Sequence, residues 1–135
     1  MMKSSEFGVN TQTKEEFIDL THRVQEFVSD SGITEGLCTV FIPHTTAGIT
    51  INENADPSVR SDLLMTLKKF VPDSLPYTHM EGNSPAHVKA SLLGSSVQVI
   101  VKNGILKLGT WQGIFFGEFD GLRNRRVFVT LMDSR

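Results

Sequence analysis

The strongest constraint on the fold lies in the last third of the chain, where apolar runs are divided by Asn-Gly and Asp-Gly pairs. Val97–Val101, Gly104–Phe119 and Val127–Met132 read as strands, with Asn103-Gly104 and Asp120-Gly121 as turns between them. Both members of an Asn-Gly pair tolerate positive φ, as a tight hairpin turn demands, so Val97–Lys102 is expected to fold back on Ile105–Leu108. The C-terminal third is therefore antiparallel sheet.

The first two-thirds carry helical spacing. Thr13 followed by Glu16 has the pattern of a capping box, and Phe17, Leu20, Val24, Phe27 and Val28 recur on one side, which predicts a helix over Lys14–Ser29 stopped near Gly32. Gly36–Ile42 and Ile49–Ile51 are strand-like and flank the polar corner His44-Thr45-Thr46. Asp56-Pro57 and Ser84-Pro85 each pair a capping residue with a proline suited to the first helical turn, predicting a second helix ended by Val71-Pro72 and a short third one ended by Gly94. The fold class is α+β in a single domain, residues 1–135, with no internal repeat.

Composition excludes several classes of function. Thirteen Lys and Arg against fifteen Asp and Glu leave a net charge of −2, so the general attraction that nucleic-acid binders exert on phosphates is missing and no nucleic-acid partner is expected. Cys38 is alone, which rules out an internal disulfide and suits a reducing compartment. No apolar window approaches the ~20 residues of a bilayer-spanning helix, and Met1–Asn10 has no signal-peptide pattern. A soluble, cytoplasmic protein without a membrane partner is expected.

Three of the four histidines sit among other polar groups. His44 lies at the corner between strands; His79 precedes Glu81 by two residues, which places both on one face if Tyr77–Glu81 is extended; His87 falls in the first turn of the third helix, where the dipole favours an anion. Asn52-Glu53-Asn54 and Glu118 with Asp120 end strand-like runs, where burial without partners would be costly. By spacing alone the histidines match no strong metal pattern, and hydrogen-bonded structural histidines are the default reading. His22, among Asp19, Arg23 and Glu26, reads as a solvated residue; Arg123, Arg125 and Arg126 read as a solvated loop ahead of an intersubunit salt-bridge set or a phosphate clamp.

Taken in order, Pro43–Asn54, Tyr77–Asn83 with Ala86-His87, Leu108–Gln112 and Glu118–Gly121 resemble the signature of the YjbQ-like family, often described as the secondary thiamine-phosphate synthase family. The resemblance spans nearly the whole chain, with Leu122 and Asn124 its visible departure. It implies a β-sandwich-dominated α+β fold with two longer helices and one short one, assembled as a homotrimer. It also implies a metal-dependent enzyme acting on a small phosphorylated metabolite, joining an aminopyrimidine-methyl diphosphate to a thiazole phosphate. In that reading His44, His79 and His87 hold a divalent metal, Glu81 or Glu53 moves a proton, and Thr45, Asn52, Asn83, Trp111, Gln112 and Glu118 line the substrate pocket. Three imidazoles suit zinc or another transition metal, whereas magnesium would accompany a diphosphate. A metal-dependent hydrolase, a binding module for a metal or small ligand, and a trimer with purely structural histidines are the alternatives.

Overall fold

In the computed structural model, which describes residues 1–135, eight strands and three helices build two antiparallel sheets. The strands are β1 (Met2–Asn10), β2 (Glu16–Asp19), β3 (Glu35–Phe41), β4 (Ala47–Glu53), β5 (Ser96–Lys102), β6 (Ile105–Leu106), β7 (Gln112–Glu118) and β8 (Asn124–Asp133). The helices are α1 (Thr21–Ser31), α2 (Pro57–Phe70) and α3 (Ser84–Leu93). One sheet has five strands in the order β1-β8-β3-β5-β6 and the other three in the order β2-β7-β4. Val40, Val99, Val127, Val129 and Leu131 of the larger sheet meet Ile49, Ile114 and Phe116 of the smaller one, with Val24 and Val28 of α1, in one buried cluster. Apolar side chains on one face of each sheet and one stripe of a helix can leave water only by packing in this way.

The expected hairpin forms. Lys102 pairs with Ile105 across Asn103 and Gly104, both at positive φ (54° and 74°). The long strand expected over Gly104–Phe119 is instead two, β6 and β7, separated by the Lys107–Trp111 segment. The first expected helix also starts later than its spacing suggests. Phe17 and Ile18 pair with Gly117 and Phe116 in β2, and the helix begins only at Thr21, where Asp19 Oδ1 accepts the Thr21 N–H at 2.9 Å. The carboxylate half of the capping box survives without its helix: Glu16 Oε2 accepts the N–H groups of Gln12 (2.6 Å) and Thr13 (3.0 Å). Gly32, at φ 74°, ends α1 as expected.

Two features carry α3 to the site. Asn83 is its N-cap and Pro85 stands in its first turn. Its C-terminal end lies against β4 at Gly48, where a Cβ would come within 2.8 Å of the Gly94 carbonyl oxygen. Only glycine allows this approach, and it sets the height at which His87 stands over the sheet.

Candidate functional site

The corner before β4 is fastened by a buried ion pair. Arg125 points inward because it alternates with Val127, Val129 and Leu131 along β8, and it meets Glu118, the last residue of β7. The guanidinium grips the carboxylate with two bonds, Nε to Oε1 at 2.8 Å and Nη2 to Oε2 at 2.5 Å. Its Nη2 also donates to Thr46 Oγ1 at 2.8 Å, and the Thr46 carbonyl accepts the Phe119 N–H at 3.2 Å. Burying two charges is tolerable only when their hydrogen-bonding capacity is filled in this way. Next along β8, the Arg126 N–H donates to His44 Nε2 at 2.9 Å. Burial, followed by the Arg125 guanidinium, holds the His44 pKa below the ordinary 6.5, with Glu118 opposing.

The opposite wall is a turn and a helix start. Residues His79–Gly82 turn rather than extend, with the Gly82 N–H on the His79 carbonyl at 3.4 Å and Gly82 at φ 75°. This turn brings His79 edge-on to His87, with ring centroids 5.1 Å apart and planes at 88°. Asn83 gives its Nδ2 to Asp120 Oδ2 at 2.9 Å, and Arg123 Nη2 donates to the same oxygen at 2.9 Å. Burial pushes the Asp120 carboxyl up, but the bonds from Asn83 and Arg123 outweigh it and hold the pKa below the usual carboxylate value. Asn83 Oδ1 is buried and has no partner in the protein.

Between the two walls lies an open cleft of about 660 Å³, which His44, Thr45, His79, Glu81, Asn83, His87, Arg123 and Arg125 line. A smaller cavity of about 250 Å³ lies behind it, sharing Glu81 and Asn83 as a wall and holding an ion pair at 2.5 Å between the buried Lys89 and the half-buried Glu15.

Of the residues singled out by sequence, His44, His79, His87, Glu81, Asn83 and Thr45 come together in the cleft. Glu118 does not face it: it is fully buried and spent on Arg125 and the Asp120 N–H, so it positions the corner rather than touching a ligand. Asn52, Glu53, Trp111 and Gln112 lie at the far end of the smaller sheet, where Glu53 pairs with Gln112 while Ala47 pairs with Glu118 at the cleft end. The strand rises about 3.3 Å per residue, so these two ends stand roughly 20 Å apart. There Asn52 Oδ1 accepts the Glu53 N–H, Gln112 Oε1 accepts the Gly109 N–H, and Trp111 is exposed. The arginines were read as a solvated loop; Arg125 is instead buried, and Arg123 and Arg126 pair with Asp120 and Glu6. Period-two alternation with the valines of β8 was the signal for Arg125. His22 is exposed beside Glu26, as expected.

The donor set does not fit a three-imidazole metal centre within one chain. No three His, Cys, Asp or Glu side chains are grouped to hold a metal ion, and His44 Nε2 is already taken by a backbone N–H. Cys38 is no substitute ligand: it is buried in β3, and burial pushes its thiol up to about 11.

The family model for UPF0047 YjbQ-like proteins matches residues 5–134. The UPF0047 protein of Methanocaldococcus jannaschii is 46% identical over 129 residues, covering 96% of this chain and 94% of that protein. UPF0047 protein YugU of Bacillus subtilis is 50% identical over 125 residues, covering 92% and 95%. Among solved structures, an uncharacterized conserved protein of the YjbQ/UPF0047 family from Clostridium acetobutylicum superposes with a TM-score of 0.93 at 56% identity, covering 95% of this chain and 99% of that one. A protein of unknown function from Sulfolobus solfataricus superposes at 0.95 with 34% identity, covering 99% of both chains. These relatives overturn the thiamine-phosphate synthase expectation and, with it, the metal-dependent enzyme: they are described by family alone, one of them as of unknown function, and none as such an enzyme.

Proposed function

The chain belongs to the UPF0047 family of YjbQ-like proteins, and from that premise we propose that it recognises a small polar molecule in the cleft between the Pro43–Thr46 corner, the His79–Asn83 turn and Arg123. The carrying observation is Asn83. Its amide is oriented by Asp120, which leaves a buried oxygen facing no protein donor. Such an acceptor costs about 1–3 kcal/mol when unmatched, and a ligand N–H or O–H would remove that cost. The lining side chains are imidazole, hydroxyl, amide, carboxylate and guanidinium, with Phe41 and Ile42 at the edge, which suits a hydrophilic metabolite.

The experiment is thermal melting against a panel of small polar metabolites, with Asn83→Ala and His87→Ala alongside. A ligand at a hundred times its Kd stabilises by about 2.7 kcal/mol, so at least one compound should raise the melting temperature of the wild type and lose that effect in both variants. A panel that leaves the wild type unmoved, or a rise that persists in both variants, contradicts the proposal.

The homotrimer remains part of this proposal. The outer face of the larger sheet supports it: Met2, Met132, Leu37 and Ile100 form a cross-strand row, and the stacked Phe41 and Phe128 carry apolar surface to the cleft edge. Light scattering of the purified chain tests it, and a monomer would contradict it. No helix is long and apolar enough to cross a membrane. A reducing compartment such as the cytoplasm suits the lone, buried Cys38.

A further inference from the structure

His44 enters the cleft with its hydrogen-bonding role already decided. Its Nε2 accepts the Arg126 backbone N–H at 2.9 Å, and a backbone amide can only donate, so that nitrogen must present its lone pair to the protein. In a neutral imidazole the other nitrogen then carries the proton. Burial and the Arg125 charge behind the ring disfavour its protonation. Neither nitrogen has a lone pair left for the cleft.

Resting on the cleft being a ligand site, we infer that His44 is a fixed Nδ1–H donor rather than a metal ligand, and that its corner of the cleft takes an oxyanion, the carboxylate or phosphate group of the bound molecule. Two observations favour an anionic acceptor over a neutral one, and a third sets what stands opposite it. Arg125, buried beneath the corner, acts on the imidazole more strongly than its partner Glu118 does, and Arg123, paired with Asp120, lines the facing wall. His87 stands in the first turn of α3, where the helix dipole favours negative charge. Asn83 Oδ1 asks for a donor on the opposite wall. The molecule that fits therefore has an acidic oxygen at one end and an N–H or O–H within reach of Asn83 at the other.

The device that holds the donor lies outside the cleft. Arg126 is the residue after Arg125, so the Glu118–Arg125 grip on Thr46 fixes both the strand that supplies the N–H and the turn that carries the imidazole. Glu118 and Arg125 are thus positioning residues for His44.

The test uses the full-length chain, 15N-labelled, with ring nitrogens followed by two-bond proton–nitrogen correlation and His44 assigned by its loss in His44→Leu. At pH 7.5 Nδ1 should resonate as the protonated nitrogen and Nε2 as the bare one. Titration with inorganic phosphate in one arm and acetate in the other should shift the His44 Nδ1–H saturably in at least one, and the responding arm names the oxyanion. His44→Leu should weaken that affinity by about ten- to a hundredfold, the range for a hydrogen bond to a charged group, while His44→Gln, which keeps an N–H, should recover part of it. The reverse tautomer overturns the inference, as does a His44 ring that neither anion moves. Should His44→Leu fail to fold, the tautomer and titrations of the wild-type chain decide alone. If an uncharged metabolite still stabilises the protein while both anions leave His44 unmoved, the oxyanion subsite falls and the ligand cleft stands.

Discussion

Arg125 and Glu118 show how much a single inward-facing charge decides. Both are buried, and their bidentate contact with the added bond to Thr46 Oγ1 is the lock on the cleft's first wall. Removing one partner strands the other in the interior, so Glu118→Ala is expected to destabilise the fold by about 3–5 kcal/mol, read as a lower denaturant midpoint. A change below about 1 kcal/mol would place the pair among surface ion pairs of little consequence. At this scale the sequence was only half legible. Arg125 shares a period with Val127, Val129 and Leu131, which marks it as inward, yet its neighbours Arg123 and Arg126 look like a solvated cluster because composition carries no facing information. The convergence of His79 and His87 was not legible: it depends on Gly82 turning the backbone at φ 75°, and an eight-residue spacing belongs to no regular element.

At the scale of elements, local signals held at the start of α2 and the end of α1. Asp56 caps α2 by accepting the Ser58 N–H at 2.9 Å, and Gly32 closes α1. The start expected at Lys14 moves to Thr21 because β7 offers Phe17 and Ile18 a partner in the smaller sheet, and pairing with a buried strand outweighs helical spacing there. β1 had no strand signature, since Ser4, Ser5 and Glu6 are not β-formers; its nine-residue ladder with β8 makes it a strand. The seating of α3 on β4 is testable. Gly48→Ala places a methyl against the Gly94 carbonyl and Leu93 Cβ, at 2.8 Å and 3.1 Å. Overpacking of this kind costs about 1–3 kcal/mol, and because the displaced helix carries His87, ligand affinity should fall along with stability. Stability lost with unchanged affinity would mean that α3 does not set the position of His87.

For the whole molecule, the family was legible from its motifs, and the fold class with it, whereas the function that the family name implied was not. The motif residues that name stretches along the chain divide between two ends of the smaller sheet, with Glu53 and Gln112 remote from the corner that carries His44 and Thr45. Sequence order gave no hint of this division, because β4 passes through both motifs and only its paired length separates them. Recognition is assigned to the His44–His79–His87 end. Backbone amide shifts of the 15N-labelled chain, recorded with whichever polar metabolite stabilises it most, test this directly. Saturable perturbations should group at Thr45, His79–Asn83, His87 and Arg123, with Asn52, Trp111 and Gln112 unmoved. Perturbations centred on Trp111 and Gln112, with the cleft residues silent, would contradict it.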